Sequence, residues 1–213
     1  MWTDYDEKKI QETLLEINMD FYDKIGKGFF YLQMPSSESR FYMWEQIQVL
    51  KEYNVRTNAP LLEYGSGVGT FMLLLWRYGY VNVEGRDVDP IVLDASKVLF
   101  KKFKTELQAN QVGFGDIYDI SGKFDVIFMN DFLYAKSIRI EQVMKSVHEA
   151  LHVDGLWCFD FLSKETPQRE NIRNYYSPVE ISEIVGDLFT VEKTISHTKN
   201  GNNVKVLYIC KRK

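Results

Sequence analysis

The feature that most constrains this chain is a change of rhythm at Pro60. Before it, apolar residues recur at helical spacing; after it, short apolar runs alternate with amphipathic stretches. Residues 6–25 place Ile10, Leu14, Ile17 and Phe21 on one helical face, and Gly26 is the stop. The loop "GKGFFYLQMPSSE" leads to a second helical run, "SRFYMWEQIQVLKEYN", with Phe41, Trp44, Ile47 and Leu50 on or near one face. From Pro60 onward "LLEY", "VNVEGRDVD", "QVGFGDI", "KFDVIFMND" and "LWCFDFLS" read as strands. "KFDVIFMND" is a continuous apolar run of the kind found in central parallel strands. Helices are expected between them: one through Trp76, one opening at Pro90, and one in "SIRIEQVMKSVHEALH", followed by a turn at Asp154-Gly155. Ser177-Pro178-Val179-Glu180 has the form of a capping box with proline at the first helical position, opening a helix through Val185. "LFTVEKTISHT" and "VKVLYICKRK" flank the turn "KNGNN" as an antiparallel hairpin. Alternating strands and helices imply a mostly parallel sheet with helices on both faces. The C-terminal hairpin adds an antiparallel strand. The expected division is an N-terminal helical lid, residues 1–58, and a core, residues 59–213.

Composition narrows the function classes. The 213 residues are 45% hydrophobic and 26% charged, as in ordinary globular domains, with a net charge of -4. A mildly acidic chain lacks the broad positive field of a nucleic-acid binder. The 13 tyrosines and 14 phenylalanines exceed core needs and fit a pocket lined with rings. Cys158 and Cys210 lie in apolar runs, and two Cys with three His do not make a structural zinc site or a disulfide framework. The N-terminal "MWTDYDEKKIQETL" is charged, and no uncharged segment reaches membrane-spanning length. A cytoplasmic protein with a small-molecule substrate is expected: no DNA, no membrane, and a monomer or homodimer.

The stretch "LLEYGSGVGTF" carries the ligand signal. Gly65, Gly67 and Gly69 alternate at the end of the first strand. Such glycines let backbone approach a ligand, and both a dinucleotide and S-adenosylmethionine fit. In the dinucleotide fingerprint the third glycine comes five positions after the first, and here that position is Thr70. Glu63, a charge inside the strand, is costly unless something at the strand end uses it. The amino-acid end of S-adenosylmethionine offers an ammonium, and NAD offers none. Asp87 follows Gly65 by 22 residues, where a carboxylate can accept both hydroxyls of an adenosine ribose.

With these residues the chain resembles the class I S-adenosylmethionine-dependent methyltransferases of small-molecule type, over about residues 59–213 in element order. The resemblance implies a Rossmann-like, seven-stranded, mostly parallel sheet with helices on both faces and an antiparallel C-terminal strand. It implies S-adenosylmethionine as cofactor and S-adenosylhomocysteine as product. The glycine turn, with Ser66, would pass the methionine part, and Glu63 would orient it. Asp87, with Val88 beside it, would hold the ribose. Asp116 would accept the adenine amino group, and the Ile117 amide would meet a ring nitrogen. Asn130 completes the cofactor set at the end of the fourth strand.

Ligands on open parallel sheets bind beyond the carboxyl ends of the strands, which places Asn130, Asp131 and Tyr134 near the chemistry. Asp131 is the base candidate, with Tyr31 as the catalytic helper and Tyr42 and Tyr134 as further aids. Arg40, Tyr42, Tyr134, Arg173, Tyr175 and Tyr176 form the expected substrate set, suited to a small polar or anionic molecule such as a sugar, a nucleotide-sugar or an acid. "NDFLY" lacks the Pro-Pro-aromatic motif of base-amine methyltransferases, and neither cysteine follows a proline as in cytosine-carbon enzymes. Asp131 and Asp160 match two metal ligands of catechol-type methyltransferases, but Phe161 stands where their next ligand, an Asn, belongs, so no metal is expected. The expected activity is methyl transfer to O or N. The alternatives are an NAD(P)-dependent oxidoreductase and a non-catalytic cofactor-binding regulator or scaffold.

Overall fold

The computed structural model describes residues 8–10, 12–13, 15–16, 42–113, 116–133, 138–164, 175–199 and 202–213. By compactness it divides into two units, Met1–Ala59 with Ser66–Val112, and Pro60–Gly65 with Gly113–Lys213.

The first unit holds α1 (Tyr42–Glu52), α2 (Thr70–Arg77), β2 (Val83–Asp87), α3 (Pro90–Lys102) and β3 (Gln108–Gln111). Residues 8–10, 12–13 and 15–16 are helical. Ile10, Val68, Leu73, Val92, Ala95, Leu99 and Phe103 form one apolar cluster, with Trp76 against it. The α3 start follows from its sequence. Pro90 presets the backbone of the first turn, and the Asp89 side chain accepts the Ile91 amide at 2.8 Å, satisfying a donor that the helix itself leaves open. Strands β2 and β3 pair in parallel, Glu84 opposite Gln108 and Asp87 opposite Gln111.

The third strand corrects the expectation. It was placed at "QVGFGDI" by its apolar residues, but the strand is the polar "QANQ" just before it. It is an edge strand, mostly exposed, so nothing requires hydrophobic alternation there. After the Val112 amide bonds Asp87 O at 2.9 Å the pairing ends.

The second unit holds β1 (Leu61–Tyr64), β4 (Phe124–Met129), α4 (Ile140–Ala150), β5 (Leu151–Ser163), β6 (Tyr175–Tyr176), α5 (Pro178–Val185), β7 (Phe189–Lys199) and β8 (Asn202–Arg212). β1 and β4 are buried along nearly their whole length, as near-continuous apolar runs predict. β1 pairs in parallel with β4 and β4 with β5. β8 runs antiparallel to both β5 and β7. Asp154-Gly155 is not a turn ahead of the fifth strand but an irregularity within it. Asp154 has φ 63, and the β4 pairing jumps from Leu151 to Leu156. The capping box of α5 is formed in full: Ser177 Oγ accepts the Glu180 amide at 3.3 Å, and Glu180 Oε2 accepts the Ser177 amide at 2.7 Å.

Hydrogen bonding orders the strands β3-β2-β1-β4-β5-β8-β7, with the short β6 beside β5. This is a Rossmann-like, mostly parallel sheet closed by an antiparallel hairpin. No helix among the described residues is long and apolar enough to cross a membrane. The expected lid, residues 1–58, falls largely outside the described residues; α1 is its main described part.

Candidate active site

The turn after β1 is built from bare backbone. Gly65, Gly67 and Gly69 have φ of 81, 54 and 78. For an L-residue this left-handed region costs roughly 1–2 kcal/mol. At Gly69 sterics add to that cost, since a Cβ would lie 2.3 Å from Cζ of Phe100. The turn is pinned from within: the Ser66 amide bonds Arg86 O at 3.0 Å, the Gly69 amide bonds Ser66 O at 2.9 Å, and Gly69 O accepts the first helical amide, Leu73, at 3.0 Å. The close helix-to-strand approach that Thr70 cannot supply comes from the other side. A Cβ on Gly85 in β2 would lie 2.4 Å from Met72 Sδ. Sequence reading passed over Gly85, although a lone glycine inside a strand is the signal of such an approach.

Asp87 closes the turn. Its Oδ2 accepts the Gly67 amide at 2.8 Å and its Oδ1 the Asp89 amide at 3.0 Å. Burial pushes its carboxyl above the usual value, more than these two amides pull it down. A carboxylate offers about four acceptor positions, so Asp87 can receive further donors. Ser66 and Thr70, in and just after the glycine turn, are buried, and among the described residues neither hydroxyl oxygen has a hydrogen-bond partner. Buried hydroxyls without partners cost stability unless a ligand or water completes them.

In the second unit Glu63 is buried in β1, opposite Phe128 of β4. Tyr64 packs edge-on against Phe132, 5.5 Å between centroids, and Phe132 lies 3.0 Å from where a Gly65 Cβ would be. Asp116 has 3-10 conformation, its amide on Gly113 O at 2.9 Å, and is exposed; Ile117 after it is buried.

Past the end of β4 the chain turns sharply. Asn130 is buried and Asp131 has φ 55, a conformation Asp tolerates better than most residues. The Asp131 amide bonds Asp160 Oδ1 at 2.8 Å. The Lys205 ammonium hydrogen-bonds Asp131 Oδ1 and lies 2.9 Å from Asp160 Oδ2. Side-chain exposure falls from 24% at Asp131 to 7% at Lys205 and 0% at Asp160. Burial drives the Asp160 carboxyl upward and Lys205 opposes this; burial would lower Lys205, but the two carboxylates outweigh it and hold the ammonium above its usual range.

Register explains the meeting. Asp160 on β5 pairs with Leu207 on β8, and Lys205, two residues away, shares its face as a diagonal neighbour. Lys205 was not among the expected site residues. An alternation count over "VKVLYIC" marks it only as a polar residue in a buried strand.

The expected catalytic helper Tyr31 lies outside the described residues, as do Arg40, Tyr134 and Arg173 of the expected substrate set, and Tyr175 is described only as backbone of β6. Tyr42 is fully buried in α1. Tyr176 packs edge-on against Phe161, 5.2 Å between centroids. Among the described residues no three His, Cys, Asp or Glu side chains converge as a metal would need.

A family model described as a methyltransferase domain matches residues 38–195. Among curated proteins, a ribosomal protein L11 methyltransferase of Clostridium perfringens is 26% identical over 125 residues, 57% of this chain and 37% of the relative. This chain therefore spans little more than a third of that relative's length. Among solved structures, magnesium protoporphyrin IX methyltransferase from Synechocystis PCC 6803, with bound S-adenosylhomocysteine, has a TM-score of 0.73 at 14% identity, covering 93% of this chain and 99% of that one. The PH0226 protein of Pyrococcus horikoshii OT3 has a TM-score of 0.64 at 20% identity, covering 84% and 92%.

Proposed function

We infer that this chain, which belongs to the methyltransferase-domain family of class I S-adenosylmethionine-dependent enzymes, moves a methyl group from that cofactor to an O or N atom of a small polar molecule. Membership sets the dinucleotide-dependent oxidoreductase alternative aside. The observation that carries the reading is the clasp of the Gly67 amide on Asp87 Oδ2, at 2.8 Å, within a turn of left-handed glycines.

The residues fit the cofactor. The left-handed glycine turn would present its backbone to the methionine part, with Gly65 and Gly69 leaving room for Phe132 and Phe100. The buried hydroxyls of Ser66 and Thr70 stand ready for a polar ligand. Asp87, backbone-anchored, would receive the ribose diol, with Val88 next to it. Glu63 would take the ammonium of the amino-acid end. Asp116 and the Ile117 amide would address the base, and Asn130 would line the end of β4.

When bound, S-adenosylmethionine supplies a sulfonium methyl that is already electrophilic. The chain therefore needs to align an acceptor, exclude water and remove a proton. Asp131 is the proton acceptor in this reading, because it lies just past the end of β4 and is partly exposed where Asp160 is wholly buried. Tyr31 remains the proposed catalytic helper, and Arg40, Tyr42, Tyr134, Arg173, Tyr175 and Tyr176 the proposed substrate-side residues.

Calorimetric titration with S-adenosylhomocysteine and with NAD tests the cofactor; binding of NAD alone would overturn the reading. Production of S-adenosylhomocysteine across a panel of small hydroxyl, carboxyl and amine compounds tests the activity. Binding without turnover on any panel member, protein acceptors included, would favour a regulatory or scaffolding role.

A further inference from the structure

We propose that Lys205 is a positioning residue whose ammonium occupies the place of a divalent cation between Asp131 and Asp160, holding the acceptor end of the site together without a metal. The inference rests on the methyl-transfer reading for its role, but its geometry stands apart from that reading.

Two carboxylates meet at the ends of adjacent parallel strands, and one of them has no solvent contact. A buried carboxylate requires a compensating proton, metal or cationic side chain. Here the Asp131 amide already takes Asp160 Oδ1, which fixes the Asp160 plane. The remaining oxygen, Oδ2, lies 2.9 Å from Lys205 Nζ, and the same nitrogen reaches Asp131 Oδ1. One cation thus bridges one oxygen from each acid, the arrangement in which a hard divalent ion would sit with waters completing its shell. A lysine almost never becomes this buried unless paired. Its neighbours on β8 from Val206 to Cys210 are all buried, so its stem runs through apolar surroundings to reach the acids.

The consequence is mechanical. Asp131 sits in a left-handed turn, and its carboxylate is held from β8, while its amide is held from β5. Both ends of the proposed base are therefore set by the Lys205–Asp160 pair, and its aim depends on strand register and not on metal supply.

The experiment uses the full chain and Mn²⁺ as the probe, read by electron paramagnetic resonance, with S-adenosylhomocysteine binding measured in parallel. Wild type and Lys205→Arg, which keeps the cation, are expected to bind no Mn²⁺ at this site. Lys205→Ala is expected to gain one Mn²⁺ per chain, at concentrations roughly tenfold or more below any at which wild type takes up the ion, the scale set by removing a positive charge from the ion's immediate neighbourhood. Adding Asp160→Asn to Lys205→Ala should abolish that gain. Equal Mn²⁺ binding by wild type and Lys205→Ala overturns the proposal, as does a folded Lys205→Ala that binds S-adenosylhomocysteine but no Mn²⁺. If Lys205→Ala does not fold, ¹⁵N-lysine spectra of wild type decide. One protected ammonium resonance that millimolar Mg²⁺ leaves in place supports the proposal, and no protected resonance, or its loss on adding Mg²⁺, overturns it. Failure of S-adenosylhomocysteine to bind wild type would instead strike the methyl-transfer reading and leave the Mn²⁺ result intact.

Discussion

The Gly67 amide donates to Asp87 Oδ2 at 2.8 Å, so the loop that follows the first strand and the acid that ends the second are one hydrogen-bonded unit. Replacing Asp87 by Ala removes the acceptor of the Gly67 and Asp89 amides as well as the proposed ribose contact. Hydrogen bonds to a charged group are worth about 1.5–3 kcal/mol each, so S-adenosylhomocysteine affinity should fall by roughly a hundredfold or more in calorimetry.

The same carboxyl sets a pH dependence for binding. Its value in the free protein is raised by burial, and donors from a ribose would favour the ionised form. Affinity should therefore weaken as pH falls through the raised value, with proton release on binding in that range. Calorimetry in two buffers of different ionisation enthalpy reads the proton directly. Unchanged affinity from neutral pH into the carboxylate range would remove Asp87 from the ribose site.

Gly69→Ala should be poorly tolerated. It meets a φ of 78 and a Cβ position 2.3 Å from Phe100 Cζ. The left-handed cost of about 1–2 kcal/mol and overpacking of about 1–3 kcal/mol together predict a loss of roughly 2–5 kcal/mol in urea unfolding.

Lys205→Met removes the cation shared by two carboxylates, one of them fully buried. Breaking a buried pair from one side costs about 3–5 kcal/mol, and wild type should lose that contribution at high pH. Lys205 lies above its usual 10.5 in the folded chain. Its stabilisation is therefore complete below about pH 10.5 and lost as pH climbs through the raised value. Urea midpoints between neutral and strongly alkaline pH should fall more steeply for wild type than for Lys205→Met.

At the surface, Glu180 gives the opposite sign. Lys164 first, then the Ser177 amide and hydroxyl, hold its carboxyl at about 2, below the ordinary 4.5. The α5 cap should stabilise the chain above pH 4.5 and lose that effect as pH falls toward 2. Ser177→Ala should cost about 1 kcal/mol at neutral pH and less in acid, read from thermal midpoints.

How far the chain was legible depends on how local each feature is. The helix opening at Pro90 and the Ser177–Glu180 box both form as read, because the bonds that fix them lie within three residues. "KFDVIFMND" announces a central strand because both its faces are buried. The polar edge strand "QANQ" has no buried face to impose a pattern, and the apolar residues after it drew the assignment downstream.

By itself the sequence determined the alternation of elements, the left-handed glycine turn and the spacing that brings Asp87 to it, because local backbone preference and hydrophobic period act over a few residues to a few tens. The resemblance already set Asp160 with Asp131 as a pair; only the tertiary structure decided that Lys205 joins them and holds the Asp131 carboxylate. Its partners lie 29 and 74 residues away, and they meet it only through the β4–β5 and β5–β8 registers. Shifting either ladder by one residue would turn the side chains to the other face, and no reading of composition or period carries that information.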